Sequence, residues 1–111
     1  MARIPTTHDP FNAIAEPKRR KIIEVIGAAE LSVNEIIERL GWPQPMVSKH
    51  LAVLKKVGLV RERRDGRQRL YQVNMEKLKP IYEWLTPFEH YWSESYERLD
   101  EVLQDIQKEE K

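Results

Sequence analysis

The chain has 111 residues, with 19 Lys+Arg, 18 Asp+Glu and no cysteine, for a net charge of +1. That length fits a single domain over residues 1–111 with one core, and the missing cysteines exclude disulfides, thiolate metal sites and thiol catalysis. No apolar run approaches the roughly 18 residues of a membrane span, and the start Met1-Ala-Arg-Ile-Pro5 lacks the apolar core and cleavage signal of a secretory peptide, so the expected location is the cytoplasm, with no membrane partner.

Asp9-Pro10 reads as an N-cap followed by a first-turn proline and predicts a short helix to about Ala15. Glu16-Pro17 repeats the signal. The helix it opens carries Ile22, Ile23, Val25 and Ile26 as its apolar side, with Lys18, Arg19, Arg20 and Lys21 in its first turns and Gly27 near its end. Those four cations either touch phosphate or simply solvate a helix face. Ser32-Val33-Asn34-Glu35 then fits the S-x-x-E capping box. Val33, Ile36, Ile37 and Leu40 follow helical spacing, and Gly41 ends that helix.

After the tight connection Trp42-Pro43, a helix is predicted over 44–57. At about 100° per residue, Val47, Leu51 and Leu54 fall on one side of it, and Pro45, Ser48, Lys49, Ala52 and Lys56 on the other. Pro45 belongs in its first turn, no good N-cap precedes it, and Gly58 is its stop. No Asp or Glu occurs between Glu38 and Glu62. The period then changes to that of strands, and Asp65-Gly66 is a strong hairpin signal. A two-residue Asp65-Gly66 loop would set Val60 opposite Tyr71, Glu62 opposite Arg69 and Arg64 opposite Arg67. The last pair destabilises the hairpin unless an anion lies between the two guanidinium groups.

Asn74 is expected to cap a helix beginning at Met75, and Thr86-Pro87-Phe88-Glu89 to open a second, long helix to about Ile106, with Thr86 as its N-cap. Heptad-like spacing puts Leu85, Trp92, Leu99 and Ile106 in one series and Phe88, Ser95 and Val102 in another. Charge divides along the chain. Residues 1–74 carry 14 Lys+Arg against 8 Asp+Glu, whereas residues 75–111 carry 5 against 10. A basic body with an acidic tail points to a polyanion for the first part and another partner for the second.

The expected fold class is mainly α with a two-stranded β-wing, in the order α-α-α-α-β-β-α(-α). Two helices joined by a short turn at Gly41, the second with one apolar and one basic face, make a helix-turn-helix, and the ribbon after them is a wing. An acid on the outer face of 44–57 would sit against phosphate, which accounts for its absence. Pro45, Ser48, Lys49 and Ala52 are placed to meet base edges of double-stranded DNA, with Lys55 and Lys56 on its backbone and Gln44 also counted in the DNA-binding set. Arg63, Arg64, Arg67 and Arg69 on the wing can reach flanking phosphates or a narrow minor groove.

"MVSKHLAVLKKVGLVRERRDGRQRLYQV" resembles the signature of ArsR-type winged-helix repressors, in which Ser48, His50, Leu51, Leu54, Gly58, Leu59, Val60, Gly66 and Tyr71 stand in the family's order and spacing. "EPKRRKIIEVI" is similar to the family's Pro-x-Arg helix and "ELSVNEIIERL" to the first helix of its helix-turn-helix. The resemblance covers about residues 9–74 and leaves 75–111 as C-terminal dimerisation helices. It implies a homodimeric transcriptional regulator, most often a repressor, on a palindromic operator. Metal-sensing members have Cys-x-Cys where this chain has Ser32 and Asn34. Others bind zinc through the last helix, where His90 and Glu94 are two ligands and not a site. No metal and no cofactor are therefore expected, and an inducer is not readable.

Some residues admit two readings. His50 lies at the edge of the apolar stripe, where a half-buried imidazole and a DNA contact are both compatible with its place. Trp84, Phe88, Tyr91, Trp92 and Tyr96 could line a ligand pocket, but the seam of Leu85, Phe88, Trp92, Leu99, Val102 and Ile106 favours a dimer interface. The rival to a DNA-binding regulator is a protein-interaction module that docks a partner through this aromatic helix. No acid pair, nucleophile–base arrangement or phosphate loop suggests an enzyme.

Overall fold

An acid followed by proline opens each of the first two helices. Asp9 accepts a hydrogen bond from the Phe11 amide at 2.9 Å ahead of α1 (Pro10–Ile14), and Glu16 accepts from the Lys18 amide at 3.3 Å ahead of α2 (Pro17–Ile26). Two of the four cations in the first turns of α2 serve the fold. The Arg19 guanidinium donates to the Ala13 carbonyl and Arg20 to the Ile14 carbonyl, both at 2.6 Å, so they satisfy acceptors at the end of α1 that have no helical partner. The structure, a computed structural model, describes residues 9–109, and the backbone alone at 95–100 and 107–109.

A short strand, β1 (Glu30–Ser32), precedes α3 (Val33–Leu40). The capping box is complete: Ser32 Oγ accepts from the Glu35 amide at 3.2 Å, and the Glu35 carboxylate accepts from the Ser32 amide at 3.0 Å. Gly41 closes α3 in the left-handed conformation at φ 71°. The chain turns through Trp42-Pro43 into α4 (Gln44–Lys56), which has no side-chain N-cap. Its C-terminus is a Schellman motif. The Leu59 amide donates to the Leu54 carbonyl at 2.9 Å, the Gly58 amide to the Lys55 carbonyl at 3.0 Å, and Gly58 has φ 82°. Leu54 and Leu59, the two positions that pack together in such a motif, are both fully buried in the core.

Strands β2 (Val60–Asp65) and β3 (Gln68–Val73) form the hairpin, and β1 adds to the outer edge of β3. The sheet is therefore three-stranded and antiparallel, in the order β1-β3-β2, where the sequence predicts only a two-stranded ribbon. The register also corrects the expectation. Val60 pairs with Val73, Glu62 with Tyr71, Arg64 with Arg69 and Asp65 with Gln68, so the two loop residues are Gly66 and Arg67. A type I′ turn at Asp65-Gly66 would need positive φ at both. Here Gly66 alone is positive, at φ 64°, as when glycine takes the first central position of a type II′ turn.

The core of this part joins Ala13, Ile22 and Ile26 to Leu31, Ile36, Val47, Leu51, Leu54, Val57 and Leu59, and is closed by Val60, Tyr71 and Val73 from the sheet. Asn74 ties the far end of the hairpin to its beginning. Its amide N–H donates to the Leu59 carbonyl at 2.8 Å and its side chain to the Gly58 carbonyl at 3.1 Å.

The chain divides into two compact units, the second beginning at Pro80 within α5 (Met75–Leu85). A 3-10 turn (Thr86–Phe88) leads from α5 into α6 (Glu89–Glu109). Thr86 does not cap α6 as expected. Its hydroxyl instead donates to the Tyr82 carbonyl at 2.8 Å, one of the last acceptors of α5. No described side chain from Pro80 onward is buried. No helix among the described residues is long and apolar enough to cross a membrane.

Candidate nucleic-acid interface

Helix α4 is seated by Val47, Leu51 and Leu54, whose burial fixes which way the rest of the helix faces. Gln44, Pro45, Ser48, Lys49, Ala52, Lys55 and Lys56 are all exposed, and no acidic residue lies on the helix. His50 does not join them. It is 9% exposed, on the core side, and its Nδ1 has no hydrogen-bond partner among the described residues. Burial pushes its pKa below the usual 6.5, and the Arg19, Lys49 and Lys18 charges press the same way against Glu16. Of the two readings open for His50, the fold takes the buried one and removes it from the candidate surface.

Alternation along the strands sorts the wing arginines. Arg64 and Arg69 face each other across the hairpin on the side that carries Glu62 and Tyr71, and Arg67 stands in the turn. Arg61 and Arg63 project from the opposite side. Arg63 is engaged there in a two-pronged pair with Glu30 of β1, Nε to Oε2 at 2.7 Å and Nη2 to Oε1 at 2.6 Å. The pair holds the Glu30 carboxyl below its ordinary pKa, chiefly through the Arg63 hydrogen bond. Arg63 thus fastens the edge strand to the wing, while its side chain stays 57% exposed on the face opposite Arg64 and Arg69. Its partner could not be foreseen without β1.

The repulsion expected between Arg64 and Arg67 falls instead on Arg64 and Arg69, both exposed. Directly opposed like charges destabilise a hairpin unless an anion or a carboxylate relieves them. Glu62 is the nearby carboxylate. It is 15% exposed, lies 4.0 Å from Arg69 Nε and 3.4 Å from Lys55 Nζ, and accepts the Tyr71 hydroxyl at 2.8 Å. The Tyr71 hydrogen bond, with Lys55 and Arg69 behind it, lowers the Glu62 pKa. Burial, then the Glu62 contact, pushes the Tyr71 hydroxyl up to about 12. These residues line a groove of about 410 Å³ that also takes in Val33, Gln44, Ser48, Leu51 and Ala52. Sequence reasoning set Glu62 near Arg69 but missed the link to Lys55, which only the packing of α4 on the sheet reveals.

In the second unit, Phe88 and Trp92 are exposed at 42% and 43%, Val102 at 53% and Ile106 at 47%, and Leu85 is half-buried. The side chains of Leu99 and Tyr96 lie outside the described residues. Trp84 and Phe88 contact at a ring separation of 5.5 Å. His90 and Glu94 form an exposed pair at 3.4 Å, and no cluster of three or more potential metal ligands occurs among the described residues.

A family described as a helix-turn-helix domain matches residues 14–63. The HTH-type transcriptional regulator KmtR of Mycobacterium tuberculosis is 38% identical over 71 residues, which are 64% of this chain and 55% of that protein. The chain thus spans little more than half the length of that relative. The transcriptional repressor SdpR of Bacillus subtilis is 30% identical over 78 residues, covering 70% of this chain and 87% of the repressor. A crystal structure of an ArsR family transcriptional regulator superposes with a TM-score of 0.64 at 26% identity, over 84% of this chain and 97% of that one. With the helix-turn-helix, the wing and these relatives in agreement, the chain belongs to the ArsR-type winged helix-turn-helix family of transcriptional regulators.

Proposed function

We propose that the protein is a homodimeric, sequence-specific DNA-binding repressor of the cytoplasm, and not an enzyme. Helix α4 enters the major groove, where Ser48, Lys49 and Ala52, with Gln44 and Pro45 at its start, meet base edges, and Lys55 and Lys56 meet the backbone. Arg64, Arg67 and Arg69 reach flanking phosphate or minor groove. Leu85, Phe88, Trp92, Leu99, Val102 and Ile106 join two copies, so that two recognition helices read a palindrome with half-sites about one helical turn apart. One observation carries the reading: the exposed face of α4 is basic and acid-free while its other face is locked into the core. The repressor name of the SdpR relative supports the direction of regulation.

Selection of bound fragments from genomic DNA, followed by titration of the recovered duplex across a salt series, tests it. Ser48→Ala with Lys49→Ala should abolish preference for the selected sequence. Arg64→Ala with Arg67→Ala should weaken binding to every duplex and flatten the salt slope by about two. Wild-type protein that binds the selected duplex no better than random DNA would overturn the reading. Salt-insensitive capture of a protein partner, with DNA left unbound, would replace it by the interaction-module reading.

A further inference from the structure

The groove between α4 and the wing contains a carboxylate on a face otherwise suited to anions. A Glu facing phosphate costs affinity, so its place needs a cause. Glu62 rises from β2, and Tyr71 on the paired position of β3 anchors it through a 2.8 Å hydrogen bond. Tyr71 is itself 7% exposed and part of the core, so the anchor has little freedom. The carboxylate then faces one cation from each of two elements, Lys55 of the recognition helix at 3.4 Å and Arg69 of the wing at 4.0 Å. The side chains of the two cations are 54% and 55% exposed, so both stand at the surface that an incoming phosphate would meet.

This inference rests on the DNA-binding reading: we propose that Glu62 is a positioning residue, which holds Lys55 and Arg69 in a fixed spacing between recognition helix and wing and so exchanges general affinity for sequence discrimination. Phosphate contacts set the register in which bases are read. Two long, unrestrained cations would follow any backbone and tolerate α4 in a wrong register. Held by Glu62, they reward a phosphate at one place, and the carboxylate repels phosphates that arrive elsewhere.

The experiment compares full-length wild type, Glu62→Gln and Tyr71→Phe on the genomically selected duplex and on a random duplex of equal length, by fluorescence anisotropy over a salt series. Glu62→Gln keeps an acceptor for the Tyr71 hydroxyl and removes the charge. Binding to random DNA should tighten several-fold, the salt slope should steepen by about one, and the ratio of selected to random affinity should fall by about tenfold. Tyr71→Phe keeps the charge and loses the anchor, so the ratio should fall without tightening on random DNA. A merely structural role would lower the melting temperature and leave both the ratio and the slope unchanged. A wild type that discriminates, with its ratio intact in both variants, overturns this inference alone. A wild type without any preference overturns the DNA-binding reading and this inference together.

Discussion

The two units of the chain treat apolar surface in opposite ways. Up to Lys79, apolar side chains converge on one core, with Ile22, Ile36, Val47, Leu54 and Leu59 all fully buried. From Pro80 onward no described side chain is buried, and Tyr82, Trp84, Phe88, Tyr91 and Trp92 are exposed. The first unit completes itself. The second is rich in charge, yet it exposes a series of aromatic and aliphatic side chains that its own described residues do not cover. The proposed dimer predicts that stability of the first unit is independent of protein concentration and that order in the second rises with it.

Mutations can break that contrast or sharpen it. The largest expected effect is in the first core. Leu54→Ala should cost about 2–5 kcal/mol, because it removes buried methyl groups and leaves a cavity under the recognition helix. Thermal denaturation should show the loss at every protein concentration. Trp92→Ala should behave differently. It should weaken self-association by about 2 kcal/mol, roughly 30-fold in the dimer constant, as measured by sedimentation equilibrium. An equal, concentration-independent loss for both variants would erase the distinction between the units.

A smaller effect belongs to His50. Its folded-state pKa is depressed by burial, so its neutral form stabilises the fold above the ordinary value of 6.5, and that stability is lost as pH falls through the depressed value. The melting temperature of wild type should therefore drop between about pH 7.5 and about pH 5.5, and His50→Gln should flatten that drop. Glu30, Glu35 and Glu62, also depressed, start from 4.5 and titrate below this window. An equal slope in the variant would assign the pH dependence elsewhere.

Legibility of the fold followed the range of the interactions. Caps and stops are local chemistry, so the Ser32–Glu35 box, Gly41 and Gly58 could be read directly. The apolar stripe of Val47, Leu51 and Leu54 set the orientation of α4 without any knowledge of its neighbours. Strand β1 was not readable because Glu30-Leu31-Ser32 is too short for a period and pairs with residues some forty positions away. The hairpin register differs from the sequence expectation by one loop position, since Asp65-Gly66 is compatible with two placements of the glycine. That slip hid the opposition of Arg64 to Arg69, and the unseen β1 hid the use made of Arg63. A threonine near a helix junction can serve either helix, and here Thr86 bonds backward to α5.

The attachment of the wing has a consequence for how such proteins diversify. Asn74 bonds to the carbonyls of Gly58 and Leu59, so the chain leaves the hairpin beside the point at which it entered. Whatever lies between those two points is a closed excursion. Residues can be added at the tip in pairs, preserving which side chains face the helix, without moving either anchor. Evolution could therefore lengthen, shorten or recharge this finger independently of the body that carries it.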